Sequence, residues 1–310
     1  MSEKTAARLP RGHAWARIKR SRYLYLMLLL PIIYYILFHY MPMYGVTIAF
    51  KQFNTRAGIL GSPWVGLKWF EKFLGDPYFW QVLRNTLSLN LLDLVFGFPA
   101  PIILALLLNE VRAPRFKRAV QTVSYLPHFL STMVVCGMLT NFLSRDGLIN
   151  DLIALFGGDR QVFLSNPGAF RTIFVGSGIW QGIGWGSIIY YAGLTSISPS
   201  LYEAADMDGA GRLRKIWHIS LPGLIPTIVT MLLLDLGRIM NVGFEKVFLM
   251  QNSSIYETAD VISTYVYRTG MQRQQFSYAS AVGLFNSGVS LVLILFFNTL
   301  ARRISGSSLW

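Results

Sequence analysis

The stretch 201–222, LYEAADMDGAGRLRKIWHISLP, lies between two long apolar segments. It is polar, helix-forming and interrupted by glycines. A simple connection between two membrane helices does not require such a regular arrangement of residues. Ser200 and Glu203 stand three residues apart, the spacing of a capping box, and Pro199 suits the first turn of a helix. The sequence therefore predicts that a short helix begins here.

The rest of this stretch predicts a turn and a second helix. Ala204 and Ala205 favour a helix without adding bulk. Gly209 and Gly211 are expected to end that helix, because glycine adopts the left-handed conformation at low cost. Residues 212–219 predict a further helix, basic on one side and ended by the proline that follows. The whole stretch predicts a small helix–turn–helix exposed to water.

This segment resembles the EAA loop of permeases from ATP-binding cassette (ABC) importers, in which Glu-Ala-Ala precedes a glycine and then Ile-x-Leu-Pro. The resemblance implies that the loop couples the permease to an ATPase. An ordinary amphipathic connection between two spans is the alternative. The matching residues are Glu203, Ala204, Ala205, Gly209, Ile219, Leu221 and Pro222, together with Asp208 and Ala210 on either side of the glycine.

Composition indicates a membrane protein. Of the 310 residues, 53% are apolar and 14% are charged, whereas soluble domains carry roughly 25% charged residues. Six runs are long enough to cross about 30 Å of hydrocarbon. The fold class predicted is an all-α polytopic membrane protein with six transmembrane helices, as in a type I ABC importer. The predicted spans are 23–44, 85–108, 120–142, 170–194, 224–240 and 279–301.

The first run could be mistaken for a signal peptide, because a basic segment precedes it. Pro31, Tyr34, Tyr35 and Phe38 occupy the place of the small residues that a cleavage site needs. This run is therefore expected to be retained as a span.

Charge asymmetry predicts the orientation. Lys and Arg exceed Asp and Glu most strongly in the segments that six spans place on the same side as both ends. We expect a basic cytoplasmic N-terminal tail at 1–22, a transmembrane domain at 23–302 and a short cytoplasmic C-terminal tail at 303–310. The EAA loop at 198–222 then faces the cytoplasm, and the protein lies in a bacterial cell membrane.

Several function classes are excluded. The net charge of +13 comes mostly from this asymmetry, so we expect contact with lipid headgroups and no nucleic-acid partner. One cysteine, Cys136, and four scattered histidines give no metal-ligand spacing. The sequence has no phosphate-binding G-x-x-x-x-G-K-[ST] loop. We therefore expect no catalytic residues, metal or cofactor, and ATP would be used by a partner chain.

Other segments resemble the branch of this family that takes up oligosaccharides and polysaccharide fragments. The resemblance covers nearly the whole chain after residue 22. It implies three protein partners: a cytoplasmic ATPase dimer, a second, homologous permease forming a heterodimer, and an extracytoplasmic solute-binding protein. The segments are 23–26, 44–50, 64–67, 106–110, 125–129, 243–245 and 264–267.

The fourth predicted span contains residues suited to a sugar. Glycines at 178, 182 and 186 form a stripe where another helix can approach closely. Trp180, Gln181 and Trp185 lie off that stripe and combine flat apolar rings with an amide that needs a partner. In the family this region contributes to the sugar site. Both tryptophans could instead face lipid near an interface.

The end of the fifth predicted span is polar. The family has sugar-contacting Asn and Phe in this region, and Asn241 and Phe244 fit those positions. This segment departs from the family pattern in its charged residues, because Asp235 could form an ion pair with Arg238. Asn241 and Phe244 are therefore candidate substrate-pathway residues, and an ion-paired structural role is the alternative.

Asp93 is the one acid predicted to lie well inside a span. An ion-driven secondary transporter would use such a residue for coupling, whereas a hydrogen bond to a neighbouring helix is the structural alternative. A membrane-embedded enzyme would need a catalytic set at membrane depth, and the sequence shows none. An ABC permease for a non-sugar solute is a further alternative.

Overall fold

The computed structural model describes residues 21–305, so residues 1–20 and 306–310 of the two predicted tails lie outside it. The described chain is helical, and its one β contact is an isolated antiparallel bridge between Lys51 and Trp64. The all-α prediction is confirmed. The last helix continues to Ser305, and so enters the segment predicted as the C-terminal tail.

Twelve helices form the described chain, with short helical turns between them. Some of them contain a π turn or a 3-10 turn, but each continues as one helix. They are α1 Arg22–Phe50, α2 Lys68–Leu74, α3 Pro77–Glu110, α4 Pro114–Phe129, α5 Thr132–Phe142, α6 Leu148–Leu155, α7 Pro167–Thr195, α8 Pro199–Met207, α9 Arg212–Leu236, α10 Phe244–Met250, α11 Ile262–Tyr267 and α12 Phe276–Ser305. The connecting turns are Gly58–Gly61, Phe163–Ser165, Ser253–Ile255, Tyr256–Ala259 and Arg268–Gln272.

Four of these helices, α1, α3, α9 and α12, are long and apolar enough to cross a membrane within the described residues. A fifth crossing is possible if α4 and α5, which are bent by 100° at their junction, together form one span. Helix α7 has 29 residues and is long enough, but its glycines, two serines and glutamine make it less apolar. The predicted count of six therefore requires both the bent pair and α7 to be spans.

Three helices contain a widened π turn, and in each the second residue after that turn is a proline. Proline lacks an N–H group, and its ring crowds the carbonyl four residues earlier. In each case the residue before the proline donates its N–H to the carbonyl five residues back, so the helix continues past the proline. The turns and prolines are Ile36–Tyr40 with Pro42, Asp93–Gly97 with Pro99, and Ile216–Ser220 with Pro222.

The π turn before Pro222 corrects one prediction. Pro222 was expected to stop the second helix of the EAA loop, but α9 passes through it and runs for 25 residues into the bundle. The loop and the following span are therefore one helix.

The third predicted span is not straight, a feature that the sequence did not predict. Its residues form α4 and α5, which meet at Leu130 in an extended conformation (φ −76°, ψ 136°). Ser131 then caps α5 by accepting a hydrogen bond from the Val134 N–H at 3.3 Å. A non-helical backbone at membrane depth is tolerated where protein supplies its partners. Here Gln181 of α7 donates its amide Nε2–H to the Leu130 carbonyl at 3.0 Å.

Helix α7 supports this break by very close packing. A β-carbon placed on Gly184 would lie 2.1 Å from the Ser124 carbonyl oxygen of α4, so only glycine allows the two backbones to approach this far. Near the C-terminal end of α7, Tyr190 and Leu194 pack into a buried cluster with Ile102 of α3 and Leu224 of α9. Helix α7 is thus the element on which α3, α4 and α9 assemble.

A buried polar cluster fixes the end of the bundle where α3 and α7 begin. The Asp260 carboxylate is buried and forms an ion pair with Arg268. It also accepts hydrogen bonds from Tyr78 at 2.5 Å and Thr264 at 2.8 Å. Asn85 of α3 donates to the Asp260 main-chain carbonyl at 3.0 Å. These bonds tie the segment before α11 to α3, and they satisfy a charge that would be costly if left unpaired.

The close approach of α7 to α4 generates a paired prediction. Replacing Gly184 with Ala should destabilise the protein by about 1–3 kcal/mol, because the methyl group overlaps a backbone carbonyl that cannot move freely. Gly182→Ala is the matched control two residues away, where an added β-carbon meets nothing within 4 Å. The measurement is the thermal unfolding midpoint of detergent-purified protein. Equal midpoints for the two variants would contradict the packing described here.

Candidate coupling loop and translocation pathway

The short helix of the loop, α8, ends in a Schellman motif. The Ala210 N–H bonds to the Ala205 carbonyl at 2.8 Å, and the Gly209 N–H bonds to the Asp206 carbonyl at 3.1 Å. Gly209 has a φ of +70°, a conformation that a residue with a β-carbon adopts only at a cost. Gly209 therefore ends the helix as predicted.

Two details of the predicted loop are wrong. Helix α8 begins at Pro199 with Ser198 as its N-cap, and no side chain caps it. The hydroxyl of Ser200 lies 2.8 Å from that of Ser198 and takes no part in a capping box with Glu203. Proline at the first position removes one N–H that would need a cap, which makes the box dispensable. Gly211 begins α9 in an extended conformation and does not end α8.

Two side-chain contacts clamp α8 onto α9. The Lys215 ammonium lies 2.6 Å from an Asp206 carboxylate oxygen. The Tyr202 and Ser220 hydroxyls are 2.9 Å apart, and Ser220 is buried. The first contact joins the end of α8 to the start of α9, and the second joins an earlier residue of α8 to a residue further along α9. Because the two contacts lie at different points of both helices, they hold the helices in one orientation.

The outward face of the clamped loop combines small residues with exposed apolar ones. Met207 is 88% exposed and Leu213 is 74% exposed. Both side chains are available for contact with another protein. The predicted coupling residues Glu203, Ala204, Asp208, Gly209 and Pro222 are exposed, and Ala205 and Leu221 are half-buried.

Two of the three predicted pathway residues of α7, Gln181 and Trp185, lie at the break between α4 and α5. The Trp185 ring stacks on His128 of α4 with centroids 4.6 Å apart and planes 1° apart. Gln181 bonds to Leu130 as described above, so its amide has found the partner that the sequence required. Trp180 is exposed. Gln181 and Trp185 thus hold the bend.

The glycine stripe of α7 differs from the prediction. Gly186 packs on Pro101, whose ring lies 3.0 Å from a β-carbon placed there. All three glycines, Gly178, Gly182 and Gly186, line a cavity of about 310 Å³ between α3, α7 and α9. Their missing side chains leave space for that cavity, and only at Gly186 does the stripe also admit the neighbouring helix α3. The closest helix approach is at Gly184, off the stripe.

Two carboxylates line this cavity, and the sequence singled out both but did not predict that they share it. Asp93 of α3 and Asp235 of α9 both line it, and both line an adjoining cavity of about 240 Å³. Arg238 also lines the second cavity, but the described residues contain no ion pair between it and Asp235. The nearby Lys246 of α10 donates to the Phe174 carbonyl at 2.7 Å. The convergence depends on helix packing, which gives no signal in sequence spacing.

Asn241 and Phe244 line different cavities. Asn241 is exposed and lines the 240 Å³ cavity with the two carboxylates. Phe244 lines a separate cavity of about 650 Å³ and contacts Tyr267 with ring centroids 5.2 Å apart. The structure therefore brings Asn241 to the acidic cavity and groups Phe244 with aromatic residues of α10 and α11. Trp180, Gln181 and Trp185 line neither cavity.

A bundle of apolar helices around polar cavities, with a clamped polar loop at one end, defines the membrane component of a transport system. The chain belongs to the family described as binding-protein-dependent transport system inner membrane component, whose profile matches residues 97–306. The predicted family is confirmed. The chain is a multi-pass membrane protein and a transport component, not an enzyme.

Relatives extend this similarity over nearly the whole chain. A polygalacturonan/rhamnogalacturonan transport system permease protein, YteP, from Bacillus subtilis (strain 168) is 48% identical over 288 residues, covering 93% of this chain and 90% of its own. Protein LplB of the same organism is 45% identical, covering 97% and 95%. A chain in the crystal structure of a bacterial ABC transporter that imports the acidic polysaccharide alginate superposes with a TM-score of 0.89 at 45% identity, covering 94% and 99%.

The positions of Gln181 and Asn241 generate a labelling prediction. In a background with the buried Cys136 replaced by Ser, cysteine at 241 should react with a hydrophilic thiol reagent, because Asn241 is exposed at a polar cavity. Cysteine at 181 should react much more slowly, since Gln181 is half-buried against the α4–α5 break. The measurement is the labelling rate in membranes. Equal rates at the two positions, or no labelling at 241, would contradict this assignment.

Proposed function

We propose that this chain is the permease subunit of an ATP-driven, binding-protein-dependent importer of oligosaccharides or polysaccharide fragments. The observation that carries the proposal is the loop: α8 is rigid, clamped to α9 by Asp206 and Lys215, and presents an exposed face of small and apolar residues. A face of this kind fits a groove on a cytoplasmic ATPase. Two of the relatives named above belong to systems that transport polygalacturonan or rhamnogalacturonan and alginate, which supports a sugar substrate.

Movement would pass from the loop to the cavity through α9. This helix starts at Arg212, beside the clamp, and ends at Leu236, one residue beyond the cavity-lining Asp235. Because the π turn keeps it continuous across Pro222, a push on α8 is transmitted along one rod. Closing of an ATPase dimer on ATP would then displace one wall of the acidic cavity relative to α3 and α7.

We assign the substrate pathway to the two cavities lined by Asp93 and Asp235, one of which Asn241 also lines, and to the separate cavity in which Phe244 is an aromatic wall. Amide and carboxylate groups suit sugar hydroxyls, and an aromatic ring suits the apolar face of a sugar. Trp180, Gln181 and Trp185 would contribute by positioning the α4–α5 bend, with Trp180 the one free to meet substrate.

The partners follow from the same proposal. A second, homologous permease would complete the pathway, two ATPase subunits would bind the loops, and an extracytoplasmic solute-binding protein would deliver the sugar. A solved relative is a complex with an alginate pentasaccharide-bound periplasmic protein. The excess of Lys and Arg on the side of the loop supports a topology with both termini in the cytoplasm.

One observation favours a second candidate. Asp93 and Asp235 share a cavity, and a pair of carboxylates is what an ion-driven transporter would use for coupling. The coupling loop has no role in such a mechanism, so variants of the loop separate the two candidates.

The loop geometry generates a paired test of coupling. Gly209→Val should reduce sugar uptake and substrate-stimulated ATP hydrolysis, because a β-branched residue at a φ of +70° costs about 1–2 kcal/mol and shifts the end of α8. Gly211→Val is the matched control. That residue is also exposed, has an extended backbone (φ −68°, ψ 166°) that suits valine, and has no atoms within 4 Å of an added β-carbon.

Both variants should insert into the membrane at wild-type levels, as judged by the amount of folded protein extracted. The expected result is impaired transport in the Gly209 variant alone. Normal ATP-dependent uptake by Gly209→Val would refute the coupling role. Uptake driven by an ion gradient in the absence of ATP would favour the second candidate.

A further inference from the structure

A basic pocket lies at the end of the bundle opposite the coupling loop, where α3 and α7 begin. Its volume is about 520 Å³. The start of α7 is joined to the adjacent turn by a hydrogen bond from the Thr258 hydroxyl to the Pro167 carbonyl at 2.9 Å. None of the predicted pathway or coupling residues lines it. The lining residues are Trp80, Gln81, Arg84, Asn85, Arg171, Glu257 and Thr258.

Two guanidinium groups line this pocket without a matching counter-ion. Arg171 donates one N–H to the Asn85 side-chain oxygen at 3.1 Å, while its buried Nε has no partner among the described residues. Arg84 takes part in no ion pair or hydrogen bond in the same part of the chain. Glu257 is the one acid that lines the pocket, and it pairs with neither arginine. The pocket therefore keeps one net positive charge.

Asn85 fixes the orientation of the deeper arginine. Its amide nitrogen donates to the Glu257 and Asp260 carbonyls at 2.9 and 3.0 Å, which leaves its oxygen to accept from Arg171. Because Asn85 is buried, this geometry is rigid. The Arg171 guanidinium is thereby fixed at the pocket, with one N–H, on Nε, that has no partner among the described residues.

The surface beside the pocket indicates where the anion comes from. On α3, Arg84 shares a face with Trp80, Leu87 and Leu91, which are 51%, 40% and 56% exposed. On a membrane-spanning helix an exposed apolar face contacts lipid, and tryptophan prefers the level of the headgroups. Arg84 lies one turn deeper than Trp80, within reach of the phosphate layer. The pocket thus opens to the membrane surface.

We propose that this pocket binds the phosphate of an anionic phospholipid in the leaflet opposite the coupling loop. Arginine matches phosphate with two parallel N–H donors, and a singly charged phosphodiester neutralises the net charge of the pocket. The bound lipid would link α3, α7 and the turn that carries Glu257. That turn precedes the buried Asp260–Arg268 pair, so the lipid would stabilise this end of the transporter.

The test is native mass spectrometry of the full chain, purified in the assembly in which it is extracted and stripped of lipid. Phosphatidylglycerol should bind at least about tenfold more tightly to the wild-type protein than to Arg84→Gln or Arg171→Gln, the loss expected for a charge-assisted contact. Arg145→Gln, an exposed arginine that does not line the pocket, is the control. A galactosyl diacylglycerol, which lacks phosphate, should show no such difference.

Arg84 is exposed, so its variant keeps the test valid even if Arg171→Gln fails to fold. Equal binding of phosphatidylglycerol to wild-type and Arg84→Gln protein would overturn the proposal. Trigalacturonate, an acidic sugar, is tested in the same way. If its binding depends on Arg84 while the binding of phosphatidylglycerol does not, the pocket recognises a sugar carboxylate and the lipid assignment is wrong. Both readouts are binding measurements, so they are independent of whether the chain transports sugar.

Discussion

Every backbone carbonyl inside the hydrocarbon needs a hydrogen-bond partner, and this constraint shapes the bundle. Helices α1, α3 and α9 contain prolines, and a π turn before Pro42, Pro99 and Pro222 re-pairs the backbone there and keeps each helix continuous. At Leu130 the helix does break, and Gln181 supplies the partner from α7. Gly184 allows α7 to come close enough for this bond, since any larger residue would meet the Ser124 carbonyl. The bend and the central position of α7 therefore depend on each other.

Helix α9 runs without a break from the candidate coupling loop to the cavity lined by Asp93 and Asp235. At one end the Asp206–Lys215 pair fixes α8 against it, and at the other end Asp235 lines a cavity with Asp93. Small residues leave the loop surface flat, whereas Met207 and Leu213 give it apolar contacts. In the proposed mechanism, a partner that moves the loop would therefore also move this cavity wall. The opposite end of the bundle is held by the buried Asp260 cluster, so motion is expected to concentrate on the loop side.

Features with a local cause were predictable from sequence. The left-handed Gly209 and the helix start at Pro199 follow from backbone preferences, and the apolar runs follow from composition. Features with a tertiary cause were not predictable. The meeting of Asp93 with Asp235, and the use of Gln181 on a carbonyl fifty-one residues earlier in the chain, require the packing of helices. Pro222 misled the prediction because its usual effect as a helix breaker is cancelled by the π turn before it.

The central claim is that the exposed face of α8 is the docking surface for an ATPase. The most direct measurement places a photo-crosslinking amino acid at Met207, the exposed apolar residue at the end of α8, and analyses the products in native membranes by mass spectrometry. The account predicts a crosslink to an ATP-binding subunit, with none from the same group placed at Leu91 on the lipid-facing surface of α3. Crosslinks from position 207 to lipid alone, or to no other protein, would contradict it.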